Sequence, residues 1–285
     1  MTRIGITGAT GVLARRFKSL YPDYEYSDFK GRLENFNEVR EFTSALRGFD
    51  ALLHFGGLVS REIVENNPFA AFNSNELGTV NILESLRLLD ETAPLLIFAS
   101  TSHVFASSDE PLNEMSRRAP SSTYGFTKFH AENWCEIYEK TYGLQIASLR
   151  LFNFTDINQN EDFFIPAMIQ KIYNAKRSAI IELAGLTGFR DFLSAEQVSR
   201  VVNSVIVKHA TGYLNVGTGE AIQLGTIVEE IKRILDRQDV ELQLSNDHRS
   251  TLFADTSKLN NLGIILKSEV NIIINQIIST FNKKD

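Results

Sequence analysis

Tyr124 and Lys128 stand four residues apart in the run Tyr124-Gly125-Phe126-Thr127-Lys128. On a helix that spacing sets a phenol and an ammonium on one face, and the pair has a definite chemistry. Tyrosine titrates near pH ~10, so it is a reluctant base at neutral pH. A neighbouring positive charge favours the phenolate and brings proton transfer within reach. Thr101 follows the apolar run Leu95-Leu96-Ile97-Phe98-Ala99 and offers a hydroxyl to the same oxygen. Together the three groups suit acid-base work on an alcohol or a carbonyl. A Tyr-x-x-x-Lys pair alone is more often plain helix surface, so its weight depends on what surrounds it.

The surroundings begin at Thr7-Gly8-Ala9-Thr10-Gly11-Val12-Leu13-Ala14, directly after an apolar strand-like run. Gly8 and Gly11 permit a tight strand-to-helix turn and close approach of a diphosphate, which meets free amides and the positive helix end. Ala14 takes the place where a small residue favours close helix packing. Asp28 falls at the end of the second strand, where a carboxylate accepts hydrogen bonds from an adenosine ribose, an arrangement that favours NAD. Lys30 and Arg32 would instead neutralise the 2′-phosphate of NADP, or simply belong to an exposed charged loop, and both cofactors stay open. Gly56 and Gly57 leave room for the cofactor after the next strand or merely end it. With a nicotinamide exchanging hydride at carbon, Tyr124 and Thr101 would handle the oxygen.

These groups need a scaffold, and the hydrophobic pattern supplies one. Strand patterns at residues 3–7, 24–27, 51–55, 95–99 and 145–150 alternate with helical patterns at 12–20, 38–46, 70–89 and 124–141. Strands separated by helices call for a parallel sheet covered on both faces. The expectation is a Rossmann-like, doubly wound α/β domain over residues 1–155 that carries the catalytic residues. Residues 156–285 are expected to form mainly a smaller C-terminal substrate-binding lobe at the sheet's C-terminal edge, with some segments returning to the core. Within it, 164–175, 196–208 and 227–235 read as helices, and 179–183 and 212–217 as strands. The asparagine- and isoleucine-rich run 271–282 shows no clear period and leaves helix and strand open.

Composition narrows the class. With 285 residues, 43% of them hydrophobic, the chain can bury a substantial core. A single cysteine, Cys135, allows no intrachain disulfide and fits a reducing compartment. Acidic residues outnumber basic ones, 35 to 29, for a formal charge of −6, which argues against a non-specific nucleic-acid binder. No apolar run approaches the ~20 residues of a membrane-spanning helix, and residues 1–3 leave no room for a secretory leader. The expectation is a soluble cytoplasmic protein with no membrane or nucleic-acid partner. No His/Cys/Asp cluster calls for a metal.

Taken in order, Gly31-Arg32-Leu33-Glu34-Asn35, His54-Phe55-Gly56-Gly57-Leu58, Asn75-Glu76-Leu77-Gly78-Thr79, Ala99 through Phe105, Tyr124 through Lys128, Leu149 through Asn153, Gly188 through Phe192 and Leu214 through Gly219 resemble the extended short-chain dehydrogenase/reductase family. The likeness covers most of the chain and is closest to the nucleotide-sugar epimerases, dehydratases and reductases. It implies that Gly8, Gly11, Val12, Leu13, Asp28, Leu33, Phe55, Gly56, Asn75, Tyr124 and Lys128 contact NAD or NADP. It further implies that Thr101, Tyr124 and Lys128 are catalytic, and that Thr101, Asn153, Arg190 and Arg249 bind a nucleotide-sugar substrate. Arg190 suits a diphosphate through charge-assisted hydrogen bonds. The spacing from Arg249 to Phe253-Ala254-Asp255 departs from the family's pattern. A homodimer is implied by the likeness alone.

Other departures bear on the reaction. Arg32 replaces an acidic residue often found beside adenine, and Ser102-His103 lacks the acid that follows the catalytic hydroxyl in many dehydratases. Dehydration needs that second acid-base group, which disfavours it here. The leading reading is a 4-keto-6-deoxy-sugar-nucleotide reductase or a sugar-nucleotide 4-epimerase, which share the same local groups. A uronate or free-sugar dehydrogenase, suggested by His54-Phe55-Gly56-Gly57 and Ser102-His103-Val104, ranks below it. A non-catalytic NAD(P)-binding regulatory protein is the alternative from a different class.

Overall fold

Apolar runs build the inner strands of the central sheet, because a strand buried on both faces tolerates so continuous a pattern. The computed structural model describes residues 1–89, 93–244 and 250–281. It divides into two compact units, the first comprising Met1–Ala106, Ser116–Leu151 and Glu196–Val216. There β1 (Arg3–Thr7), β2 (Glu25–Asp28), β3 (Ala51–His54), β4 (Leu95–Thr101), β5 (Ile146–Leu151) and β10 (Gly212–Val216) form a six-stranded sheet in the order β10-β5-β4-β3-β1-β2. Every pairing is parallel. Strands β2 and β3 flank β1 on opposite sides, so the winding reverses between β1 and β3. The carboxyl ends of those two strands are where doubly wound sheets take ligands.

The crossovers are α1 (Val12–Leu20), α2 (Phe36–Ser44), a segment containing α3 (Arg61–Asn66), α4 (Pro68–Ala71) and α5 (Gly78–Arg87), then α6 (Thr123–Tyr142) and α8 (Ala195–Lys208). Val39, Ile82, Leu83, Leu86, Ala131 and Cys135 pack with Leu52, Leu96 and Phe98 of the sheet. Each Val, Leu, Ile or Phe among them contributes about 1.5–3 kcal/mol on burial. The expected single helix over 70–89 is interrupted: Phe72–Leu77 is a π-helical turn between α4 and α5. The widened turn carries Asn75, 1% exposed, whose three side-chain hydrogen bonds compensate for the departure from α geometry.

Helix α6 has clear ends. Ser122 accepts a hydrogen bond from the Gly125 amide at 3.1 Å, and Gly143 closes the helix at φ +72°. A Cβ on Gly125 would lie 2.5 Å from the His103 carbonyl oxygen, so glycine there lets α6 approach the turn after β4.

The second unit comprises Ser107–Met115, Phe152–Ala195 and Gly217–Asp285. Its strands are short: β6 (Asn153–Thr155) pairs with β9 (Phe192–Ser194), and β7 (Ile180–Leu183) with β12 (Glu241–Leu244), while β8 (Phe189–Arg190) lies between β11 (Ile222–Gln223) and β13 (Thr251–Leu252). The helices are α7 (Phe164–Tyr173), α9 (Leu224–Ile234), α10 (Ser257–Asn261) and α11 (Val270–Phe281). Of the run left open between helix and strand, residues 271–281 lie in α11, with Ile273, Ile274, Ile277 and Ile278 buried as a helical stripe, and residue 282 lies outside the described residues. Among the described residues no helix is long and apolar enough to cross a membrane.

Candidate active site

Gly8 follows β1 at φ +69°, and a Cβ there would lie 2.6 Å from the Gly56 amide nitrogen. Both the backbone conformation and the contact with the end of β3 therefore require glycine. Gly11 caps α1 with no side-chain hydrogen bond and with no acidic residue in the first turn. The leading amides of Val12 and Leu13 are thus not capped by a side chain, and the turn's shape and positive helix end fit a dinucleotide diphosphate. Leu33 and Gly56 are buried and Phe55 is half-buried. A Cβ on Gly56 would lie 2.9 Å from Leu33 Cδ1, so Leu33 packs directly on that turn.

Asp28 does end β2, opposite Ile6. Its carboxylate is engaged by Lys18 of α1, whose Nζ is 2.6 Å from both oxygens. Sequence reasoning missed this partner, since nothing in residues 12–20 marks one lysine as facing the second strand.

Behind the glycine turn runs a chain of neutral hydrogen bonds that begins at His54, fully buried at the end of β3. The Gly56 N–H donates to Thr7 Oγ1 at 3.1 Å, and Thr7 Oγ1 lies 2.7 Å from His54 Nδ1. On the other side His54 Nε2 is 3.1 Å from Thr79 Oγ1, which donates to the Asn75 carbonyl at 2.6 Å. Because the Thr79 proton is already committed, Nε2 must donate and Nδ1 must accept from Thr7. Burial, aided by the Lys128 charge, lowers the His54 pKa to about 3 and keeps it neutral. The Asn75 side chain accepts from Leu58 N and donates to Leu58 O and Thr127 Oγ1. Both its amide hydrogens are spent within the protein, so Asn75 braces the turn after β3 against α6.

Thr101 ends β4, and its Oγ1 accepts the His103 N–H at 3.2 Å. Tyr124, in the first turn of α6, reaches it. Burial raises the phenol to about 12, and a hydrogen bond with Thr101 opposes that rise. Lys128 is 3% exposed. Its Nζ donates to the Ala99 carbonyl at 2.9 Å and sits 4.7 Å from the Phe98 ring centroid. Burial lowers its pKa to about 8. The Lys128 ammonium bonds the Ala99 carbonyl and lies against Phe98, and burial is the largest influence on the phenol. His103 packs edge-on to Tyr124, with ring centroids 6.3 Å apart. Ser102 Oγ is buried with no hydrogen-bond partner among the described residues.

Sequence reasoning also missed the support beneath these groups. Glu132, one turn past Lys128 on α6, is fully buried; Arg150 of β5 bonds both its oxygens, at 2.9 Å each. Ser100 donates to the same carboxylate, and Arg118 lies 3.4 Å away. The Arg150 guanidinium is also 4.2 Å from the Tyr213 ring centroid. The pair locks α6 to β4 and β5, and so fixes Tyr124 and Lys128 relative to Thr101. An arginine inside the apolar strand 145–150 was the available signal.

In the second unit, Asn153 opens β6 and its Oδ1 is buried without a partner among the described residues. Arg190 ends β8 and donates to the carbonyls of Phe189 and Ser250 at 2.8 and 2.6 Å. No ion pair engages it among the described residues, and burial lowers its pKa. A half-buried cation held by carbonyls is suited to an anionic ligand. Its neighbour Asp191 is fixed by the amides of Thr218, Gly219 and Ala254. Arg249 lies outside the described residues.

A parallel sheet with a glycine cradle at its switch point and a threonine-tyrosine pair at the end of β4 defines a protein of the short-chain dehydrogenase/reductase class. The sequence profile of the family described as GDP-mannose 4,6 dehydratase matches residues 9–260. The chain belongs to that family, among the extended NAD-dependent epimerase/dehydratase enzymes that act on nucleotide sugars.

It is 26% identical to the trifunctional UDP-glucose 4,6-dehydratase/UDP-4-keto-6-deoxy-D-glucose 3,5-epimerase/UDP-4-keto-L-rhamnose-reductase of Arabidopsis thaliana, over 90% of this chain. The match spans less than half that protein's length, 44%. It is also 26% identical to the uncharacterized UDP-glucose epimerase YtcB of Bacillus subtilis, over 87% of this chain and 78% of that one. In fold it is similar to RMD from Pseudomonas aeruginosa, solved with NADPH, at TM-score 0.88 and 18% identity with both chains fully covered.

Proposed function

We propose that the chain is an NAD(P)-dependent reductase of a 4-keto-6-deoxy sugar nucleotide. The observation that carries this reading is the protonated Tyr124 phenol hydrogen-bonded to Thr101 at the carboxyl end of β4. Gly8, Gly11, Val12, Leu13, Asp28, Leu33, Phe55 and Gly56 would hold the dinucleotide, with Asn75 bracing the turn and Lys128 meeting the ribose. The nicotinamide supplies hydride to the ketone carbon when bound.

The chain's own part is proton traffic. Thr101 and Tyr124 both bond the carbonyl oxygen, and Tyr124 gives its proton to the alkoxide as negative charge develops there. A phenol held near 12 stays protonated through neutral pH, so no prior ionisation is needed in the reducing direction. The buried Lys128 ammonium stabilises the phenolate left behind. Asn153, Arg190 and Arg249 are assigned to the sugar nucleotide, with Arg190 on its diphosphate. Ser102 follows Thr101 where a dehydratase needs an acid, which speaks against dehydration. The NADPH complex of the Pseudomonas protein supports the cofactor class.

The second reading, a 4-epimerase, is favoured by the likeness to YtcB and uses the same groups in both directions. The reading includes a homodimer: Phe126, Trp134 and Ile137 are exposed along one face of α6, an apolar stripe of the kind that marks an interface. Sedimentation at micromolar concentration would give twice the chain mass, against a monomer if the assignment is wrong.

Incubating the purified chain with NADH or NADPH and a panel of sugar nucleotides tests the reaction. Stoichiometric cofactor oxidation with a gain of two hydrogens in the product supports reduction. Redox-neutral isomerisation moves the assignment to epimerisation, and uronate-dependent NAD reduction without activity on the panel would overturn the substrate class.

A further inference from the structure

The adenosine end of the cradle holds a charge arrangement that the sequence did not disclose. A lone carboxylate at the end of β2 would accept the ribose hydroxyls and repel a phosphate placed on the 2′ oxygen. Asp28 is not alone. Lys18, in the last turn of α1, reaches across to the end of β2. Its ammonium sits 2.6 Å from each carboxylate oxygen and 5.5 Å from the Tyr26 ring centroid. Both side chains are about two-thirds buried, with 27% and 32% of their surface exposed, so solvent screens the pair only in part.

Two further cations follow in the same loop, since Lys30 and Arg32 are both exposed. The nearby acid Glu38 is already committed to the Arg32 amide and to Asn35 Nδ2, each at 2.7 Å.

We infer that Lys18 is a specificity-determining residue: its ion pair cancels the charge of Asp28 and lets the site take a 2′-phosphorylated dinucleotide as well as the unphosphorylated form. The inference rests on the reading that the cradle binds NAD(P). Each carboxylate oxygen has a second lone pair, so the ribose hydroxyls keep their acceptor while Lys18 is bound. A 2′-phosphate then meets a neutral Lys18–Asp28 pair beside Lys30 and Arg32, in place of an uncompensated negative charge. The sequence alone, weighing Asp28 against Lys30 and Arg32, left the two cofactors undecided because the decisive cation lies on a different element.

Calorimetric titration of the whole chain with ADP-ribose and with 2′-phospho-ADP-ribose tests this without reference to turnover. The parent chain is expected to bind the two ligands with dissociation constants within tenfold of each other. Lys18→Met is expected to weaken the phosphorylated ligand at least tenfold relative to the unphosphorylated one, and Lys18→Arg to restore the balance. Adding Asp28→Asn to Lys18→Met removes the exposed carboxylate and is expected to recover the phosphorylated ligand. Equal changes for both ligands in Lys18→Met, with the far-ultraviolet spectrum intact, would overturn the role of Lys18. Failure of the parent chain to bind either ligand would instead overturn the cofactor reading on which it depends.

Discussion

Replacing Glu132 with glutamine probes the support beneath the proposed catalytic pair. Glu132 and Arg150 have 0% and 1% of their side-chain surface exposed, and two 2.9 Å hydrogen bonds join them. Glu132→Gln keeps the volume but withdraws the negative charge from a buried guanidinium. Breaking a buried pair in this way costs about 3–5 kcal/mol. For a chain of this size that corresponds to a fall in melting temperature of roughly 6–10 °C, at about 2 °C per kcal/mol.

Arg150→Met should cost less, because Glu132 still has Arg118 at 3.4 Å and the Ser100 hydroxyl. The double variant, with neither charge, should lose less stability than the sum of the two single losses. Urea denaturation of the four proteins closes the cycle. A loss under about 1 kcal/mol for Glu132→Gln, or strict additivity in the double variant, would refute the view that this pair locks α6 to the sheet.

Two further outcomes follow from the same geometry. Gly8→Ala must place a Cβ 2.6 Å from the Gly56 nitrogen at φ +69°; dinucleotide binding by titration should be abolished, with stability lower by at least about 1 kcal/mol from backbone strain. His54, with its pKa lowered to about 3, makes folding acid-sensitive. Below pH ~6.5 the unfolded chain takes up a proton that the folded chain refuses until about pH 3, so this contribution is intact above ~6.5 and is lost as the pH falls. Between pH ~6.5 and ~5 the loss should be about 2 kcal/mol, read from urea midpoints. Histidine nitrogen spectra should show His54 as the neutral Nε2–H form throughout that interval, and a protonated ring at pH 5 would contradict the hydrogen-bond chain.

The sheet of the first unit was legible because its strands are local apolar runs: 51–55 and 95–99 were located to within two residues of β3 and β4. Helix α1 begins after Gly11 as the turn chemistry requires. What escaped notice depends on partners distant in sequence. The strands β8, β11 and β13 have two residues each and exist only through one another, so no periodicity announces them. The π-helical turn at Phe72–Leu77 serves the hydrogen bonds of Asn75 to Leu58 and Thr127, groups that a one-dimensional pattern does not connect. Arg150 and Glu132 were each visible as residues, but their pairing follows from the register of β5 against β4 and the face that α6 presents. The Tyr124–Lys128 spacing was readable; that Lys128 turns to the Ala99 carbonyl depends on burial.

Delivery of the proton to the substrate oxygen by the Tyr124 phenol is tested most directly by Tyr124→Phe. Single-turnover rates with the preferred sugar nucleotide should fall by about 10²–10⁴, the usual worth of general-acid catalysis, while the dissociation constant of the dinucleotide stays within about twofold of the parent. A variant that turns over at the parental rate would show that another group supplies the proton, and the assignment of the site would fail.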